Sequence, residues 1–178
     1  MTDRPSLVDR MVRAAKLDSN LYEEVEADEE ANGQAFTVVV IAGIASGLGV
    51  GIRAIISGDS GLWLLWGLLL GIGTGIAGWL IWSLFSWILG TTIFKGHVTE
   101  ADYGQLIRTI GFSNTPRLLS FFSFIPFLGG VITFAALVWA LVAGVIAVRQ
   151  ALDFSTWRAI GTCIVGWIIY ALIVFLIF

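Results

Sequence analysis

The sequence predicts an all-α integral membrane protein with five transmembrane helices, the third interrupted near Pro116, behind a short amphipathic and acidic helical tail. Two observations carry that class. Of 178 residues, 57% are apolar and only 13% charged, whereas a soluble domain carries about 25% charged residues. The charges are also segregated: residues 1–34 hold 4 basic and 9 acidic side chains, and residues 35–178 hold 6 and 4. The chain therefore divides into a wet tail, 1–34, and a membrane domain, 35–178. A tail of that length falls below the roughly 40 residues that a small fold usually needs to stand alone, so no separate catalytic domain is expected.

In the tail, Ser6 to Leu17 reads as a helix with Leu7, Val8, Met11, Val12 and Ala15 on one side and Arg10, Arg13 and Lys16 flanking them. That is the pattern of a helix lying on an anionic membrane surface. Asn20 with Glu23 makes a capping pair for a second, acidic helix that ends before Gly33 and carries Leu21, Tyr22 and Val25 as its apolar stripe. This helix is either solvated or docked on a basic surface. No apolar stretch precedes Ala35, so no cleaved signal peptide is expected and the first membrane helix acts as the insertion signal.

A helix crosses about 30 Å of hydrocarbon with about 20 apolar residues. The first such run goes from Ala35 to about Ile56 and is closed by Ser57-Gly58-Asp59-Ser60-Gly61. Leu62 to Phe94 comes next, without a charge; as one helix it would be about 50 Å long and must tilt, kink at its glycines or project from the bilayer. Thr99-Glu100-Ala101-Asp102 offers a helix start, and Leu106 to Phe127 suffices as a third crossing if the path continues through the break at Pro116. A re-entrant loop is the alternative. Gly129 to Val148 and Trp157 to Phe178 complete the five.

Lys and Arg placement sets the orientation. With a cytoplasmic N-terminus, the inner segments hold Arg4, Arg10, Arg13, Lys16, Lys95, Arg149 and Arg158, and the outer turns hold only Arg53. The expectation is a multi-pass protein of the cell membrane with its C-terminus on the opposite face.

Chemistry-bearing patterns are few. Cys163 is the sole cysteine and His97 the sole histidine, so no disulfide, metal site or histidine relay is expected. No cofactor is implied, because Gly71-Ile72-Gly73-Thr74-Gly75 lacks the following Lys and the preceding strand of a phosphate loop. No basic patch interleaved with aromatics suggests nucleic acid. Instead Gly43, Gly47 and Gly51 recur every four residues, and Gly67, Gly71, Gly75 and Gly78 share a face. Such rows let two backbones approach, either within one chain or between copies. Lys95, Arg108, Arg149 and Arg158 fall near the inner face as a collar for anionic lipid headgroups or a partner protein. Arg117 lies deeper, where a charge is costly unless hydrated or paired. It either snorkels and stabilises the helix break or marks a polar functional site.

The run YGQLIRTIGFSNTPRLLSFFSFIPFLGG, within a stretch from about Leu21 to Trp167, resembles the Yip domain family. The resemblance rests on Tyr103-Gly104, Gly111-Phe112, Pro116, Trp139 and the Arg149 to Ala159 segment, and the tail LDSNLYEEVEAD is similar to prokaryotic members. It implies a non-enzymatic membrane protein; eukaryotic members are linked to vesicle trafficking and membrane shaping. The Asp-Leu-Tyr-Gly-Pro element of many eukaryotic members is missing, so the resemblance does not extend to GTPase binding. Together these readings favour a membrane-organising, scaffold or accessory-subunit role through lipids, other membrane proteins or self-association. A small-solute transporter or channel is the alternative.

Overall fold

The computed structural model describes residues 5–94 and 101–177. Among them are seven α-helices and one 3-10 helix, with no strand.

The tail forms α1 (Leu7–Ala15) and α2 (Ser19–Ala27). Ser6 caps α1, its hydroxyl accepting from Asp9 N. The cap of α2 is Asp18, which accepts from Asn20 N, rather than Asn20 itself. Asp18 also accepts from Arg13 Nε at 2.9 Å, so one carboxylate ends α1 and begins α2. Leu17 makes the turn between them with φ 62°, a left-handed backbone that costs a non-glycine residue about 1 kcal/mol.

The long helices come next. α3 (Ala31–Ile56) reverses through a turn in which Gly58 sits at φ 92° and leads into α4 (Leu62–Thr92). α4 is one unbroken helix of 31 residues, about 46 Å, which exceeds the hydrocarbon thickness. Its later half is stitched to α5 (Tyr103–Ser113) and the residues leading into it by three hydrogen bonds: Trp79 Nε1 donates to Ile107 O at 2.9 Å, Trp87 Nε1 to Ala101 O at 3.0 Å and Tyr103 Oη to Leu80 O at 3.0 Å.

α5 starts on a capping box in which Asp102 Oδ1 accepts from Gln105 N and Gln105 Oε1 accepts from Asp102 N. The helix therefore begins later than Thr99 would have placed it; Thr99 and Glu100 lie outside the described residues. It ends where side chains take over its last carbonyls. Ser113 and Asn114 both donate to Ile110 O, and Thr115 donates to Phe112 O. Pro116 cannot donate a backbone bond, and the chain tightens into a 3-10 helix, Thr115–Phe124. A 3-10 helix rises about 2.0 Å per residue against 1.5 Å in an α-helix, so the two pieces together span roughly 36 Å. They run alongside α3 in the same direction. A Cβ on Gly111 would meet Ala35, and one on Gly49 would meet the Ser120 and Phe121 carbonyls.

After Phe127, at φ 65°, α6 (Leu128–Ala151) returns to the tail end, and α7 (Thr156–Ile177) turns back. Gly144 abuts Trp82, Gly90 abuts Leu152, and a Cβ on Gly161 would lie 3.2 Å from the Phe94 ring, so α4, α6 and α7 form one packed side. α3, α4 and α6 are each long and apolar enough to cross a membrane.

The core gathers at the tail end. Ala14, Leu21, Tyr22 and Val25 of the tail are buried with Ala35 and Val38 of α3, Leu106 and Ile110 of α5, and Val148 and Leu152. The tail is therefore packed into the bundle. α1 turns Leu7 and Met11 inward and leaves Val8 and Val12 exposed, so only part of its apolar stripe faces outward as a membrane-surface helix would.

Candidate functional site

Two polar constellations stand out in this apolar body. The first fixes the tail. Arg108 projects from α5 against the last turn of α2, where its Nε donates to Val25 O at 3.1 Å and its Nη2 to Glu26 O at 2.6 Å. Carbonyls at a helix C-terminus lack partners within the helix and carry the negative end of its dipole, so a guanidinium answers both needs. Arg108 is only 5% exposed. Its expected place in a lipid-facing collar is thus corrected: the side chain is buried against the chain's own tail, where the end of α2 offers carbonyls that accept from it.

Around this contact the tail and bundle interlock. Gln105 Nε2 donates to Glu26 Oε1 at 3.1 Å, Gln150 Nε2 to Glu23 Oε1 at 2.6 Å, and Trp139 Nε1 to Ala15 O at 2.9 Å. Burial pushes the Glu26 carboxyl up to about 7; Asp153, Glu23 and Asp102 add to the rise and Arg108 opposes it. Within the tail, Arg10 is 3% exposed and uses three nitrogens, on Glu24 at 2.9 Å, Asp28 at 2.7 Å and Gln34 of α3 at 2.8 Å. A buried guanidinium is tolerated only when matched in this way. Arg13 pairs with Asp18 and Glu24, which holds the Asp18 carboxyl below its ordinary range. The acids of α2 therefore answer the cations of α1, with Arg10 buried among its partners and Arg13 paired at the edge of the tail.

The glycine rows meet within one chain. A Cβ on Gly67 would lie 2.5 Å from Gly47 O, one on Gly43 2.8 Å from Gly71 O, and one on Gly51 2.8 Å from Leu64 Cα. The same addition at Gly47 or Gly71 would run into the facing backbone carbonyl. Gly75 differs, since its Cβ would rest at an ordinary 3.7 Å from Gly43 Cα, and Gly78 has nothing within 4 Å. Gly78 is thus not a packing residue of this seam. The helices splay toward the tail end, where Trp79 turns to α5 instead.

The second constellation surrounds Arg117 on the 3-10 helix, which donates from Nη1 to Asn114 Oδ1 at 3.1 Å. It borders two hollows. The smaller, of about 220 Å³, is bounded by Ser46, Ser120, Ser123, Thr133 and Leu137. The larger, of about 310 Å³, reaches inward to Asn114, Thr74, Trp82 and Leu141. The Ser46 and Ser123 hydroxyls and Trp82 Nε1 are buried without a hydrogen-bond partner, and an unsatisfied buried polar group costs about 1–3 kcal/mol. Of the remaining cations, Arg149 and Arg158 are exposed on either side of the turn between α6 and α7. Lys95 lies outside the described residues, and no cluster of metal-ligating side chains occurs among those that are described.

The Yip1 domain model matches residues 19–178 of the chain. The chain belongs to the Yip1 domain family. No curated protein matches it, and no solved structure does. In this Yip1-domain protein the match begins at Ser19, the first residue of α2, so the family's unit takes in the acidic helix as well as the long apolar ones. The tail contacts made by Gln105, Trp139 and Gln150 have no counterpart in the sequence pattern. Asp102-x-x-Gln105 is a legible capping signal, but a Trp donating to a carbonyl more than a hundred residues away leaves no local trace.

Proposed function

We propose that this protein is a non-enzymatic, multi-pass component of the cell membrane that organises lipids or other membrane proteins. In this reading it has five crossings, a cytoplasmic tail and a C-terminus on the opposite face. The observation that carries it is the interlocked tail: the polar side chains at that end match each other and the backbone of α2, so they close the bundle instead of lining a route through it. The approximate 36 Å length of α5 with the 3-10 helix, and its course beside α3, support a third crossing. The exposed Arg149 and Arg158, at the same end as the tail, provide cations for anionic headgroups or a partner's acidic segment.

One observation favours the rival, a small-solute transporter or channel: the two hollows that meet at Arg117. The full chain, purified in mild detergent, separates the readings. A membrane protein at fixed stoichiometry, or anionic lipid, that stays through gel filtration and is released by Arg149→Glu with Arg158→Glu supports the organising role. A solitary protein that carries a small solute into liposomes, with flux lost in Arg117→Leu, overturns it.

A further inference from the structure

A third hollow, of about 370 Å³, lies between α6 and α7 and is walled by apolar side chains. Leu141, Val142 and Val145 bound it on one helix and Ile160, Ile164 and Ile168 on the other, with Cys163 as the one bounding residue whose side chain is not a hydrocarbon. Val142, Ile164 and Ile168 are exposed, so the hollow is an open slot and not a sealed cavity. A site without polar partners does not hold water, and an empty slot forfeits the dispersion contacts of its walls. Hydrocarbon is the filling that suits it. From Ile160 to Ile168 the slot runs about 12 Å along α7, close to the length of one leaflet, which is half of the roughly 30 Å of bilayer hydrocarbon.

Both walls continue past the slot at the tail end, and each adds a group suited to a headgroup. Leu141, Val145 and Arg149 recur every four residues and share a face of α6, which places Arg149 one turn beyond the slot. Trp157, Ile160, Ile164 and Ile168 share a face of α7 by the same kind of spacing; Arg158 falls off that stripe. Arg149 and Trp157 are exposed, and the Arg149 side chain has no hydrogen bond or ion pair among the described residues. The one acid in the turn between the helices, Asp153, acts on Glu26 of the tail and is not paired with Arg149. A tryptophan at the end of an apolar stripe suits the headgroup level of a membrane, and a guanidinium beside it matches a phosphate with paired N–H groups. We propose that the slot between α6 and α7 holds an acyl chain of one anionic phospholipid, whose phosphate is bound by Arg149 with Trp157 beside the headgroup. Chain and charge act together: a phosphate without a chain leaves the slot empty, and a zwitterionic lipid brings a second cation to Arg149. This lipid site rests on the membrane-organising reading and narrows it to one lipid on one face.

The test uses the full chain in nanodiscs of phosphatidylcholine into which phosphatidylglycerol is titrated, with the lipids that stay on the released protein counted by native mass spectrometry. Glycerol phosphate, a headgroup without chains, is the second probe. The expected result is one saturable phosphatidylglycerol per chain, held in preference to phosphatidylcholine, and no glycerol phosphate. Arg149→Gln weakens it about fivefold or more, the worth of one cation beside an anionic headgroup. Val145→Phe fills the slot and weakens it several-fold with Arg149 intact; Ile164→Phe, at an exposed position that accepts a larger ring, is the second slot variant. Arg53→Gln, on an exposed arginine at the other end of the bundle, leaves it unchanged. Absence of saturable binding, phosphatidylcholine or glycerol phosphate held equally well, or phosphatidylglycerol binding that survives Arg149→Gln or both slot variants overturns the site. If it falls while a membrane protein is still retained through gel filtration, the site alone is lost; solute flux in liposomes overturns the organising reading whatever lipid is bound.

Discussion

The guanidinium of Arg108 grips the end of α2 by its backbone, donating from Nη2 to Glu26 O at 2.6 Å across 82 positions of sequence. The contact makes the tail part of the membrane body, and it is a charge-assisted bond to carbonyls that have no other partner. Arg108→Ala leaves those carbonyls buried and unsatisfied, a loss of about 2–3 kcal/mol in tail docking. Amide hydrogen exchange across α2 should accelerate by tens-fold while exchange in α3 and α4 stays slow. Arg108→Lys, which keeps the charge but loses the fork, should fall between the two.

Glu26 makes docking depend on pH. Its carboxyl is raised from an ordinary 4.5 to about 7 by burial, with Asp153, Glu23 and Asp102 adding to the rise against Arg108. A raised acid favours the docked state when protonated. Its contribution is therefore complete below about 4.5, declines as pH rises through that window and is gone above about 7. Asp18, lowered by Arg13, works in the opposite sense and weakens the tail as pH falls through its own lowered value. Tail protection from protease should thus fall between about pH 5 and 7.5, and Glu26→Gln should flatten that slope.

The seam between α3 and α4 separates glycines that resemble one another in sequence. Gly47→Ala drives a methyl into the Gly67 carbonyl, and Gly67→Ala places one 2.5 Å from Gly47 O; such overpacking costs typically about 1–3 kcal/mol. Gly78→Ala meets nothing within 4 Å and should be neutral or stabilising by up to about 1 kcal/mol through helix propensity. Thermal unfolding in detergent of the three variants measures the contrast.

Much of this architecture is legible in the sequence. Apolar length sets out α3, α4 and α6, and the four-residue glycine period locates the seam, because both depend on local spacing. The break at Asn114-Thr115-Pro116 is legible from proline chemistry, whereas the change to a 3-10 path is not, since it depends on Ser113, Asn114 and Thr115 capping α5. Arg108 is misplaced by sequence reasoning because its partner is a backbone carbonyl, which no residue type advertises. Gly78 is misplaced because periodicity gives a face of a helix but not how far a neighbour tracks along it. α1 reads as a membrane-surface helix because its cations are visible in the sequence, while their pairing with Glu24 and Asp28 emerges only from the fold.

The proposed five crossings, an odd number, would put the two ends of the chain on opposite faces, and the third depends on the α5 and 3-10 path traversing the membrane instead of returning. A reporter active only outside the cytoplasm reads this directly, fused before Thr2 in one protein and after Phe178 in another. The tail fusion should be silent and the C-terminal fusion active. Equal activity from both, or silence from both with intact protein present, would mean that the stretch through Pro116 is re-entrant and that the chain crosses an even number of times.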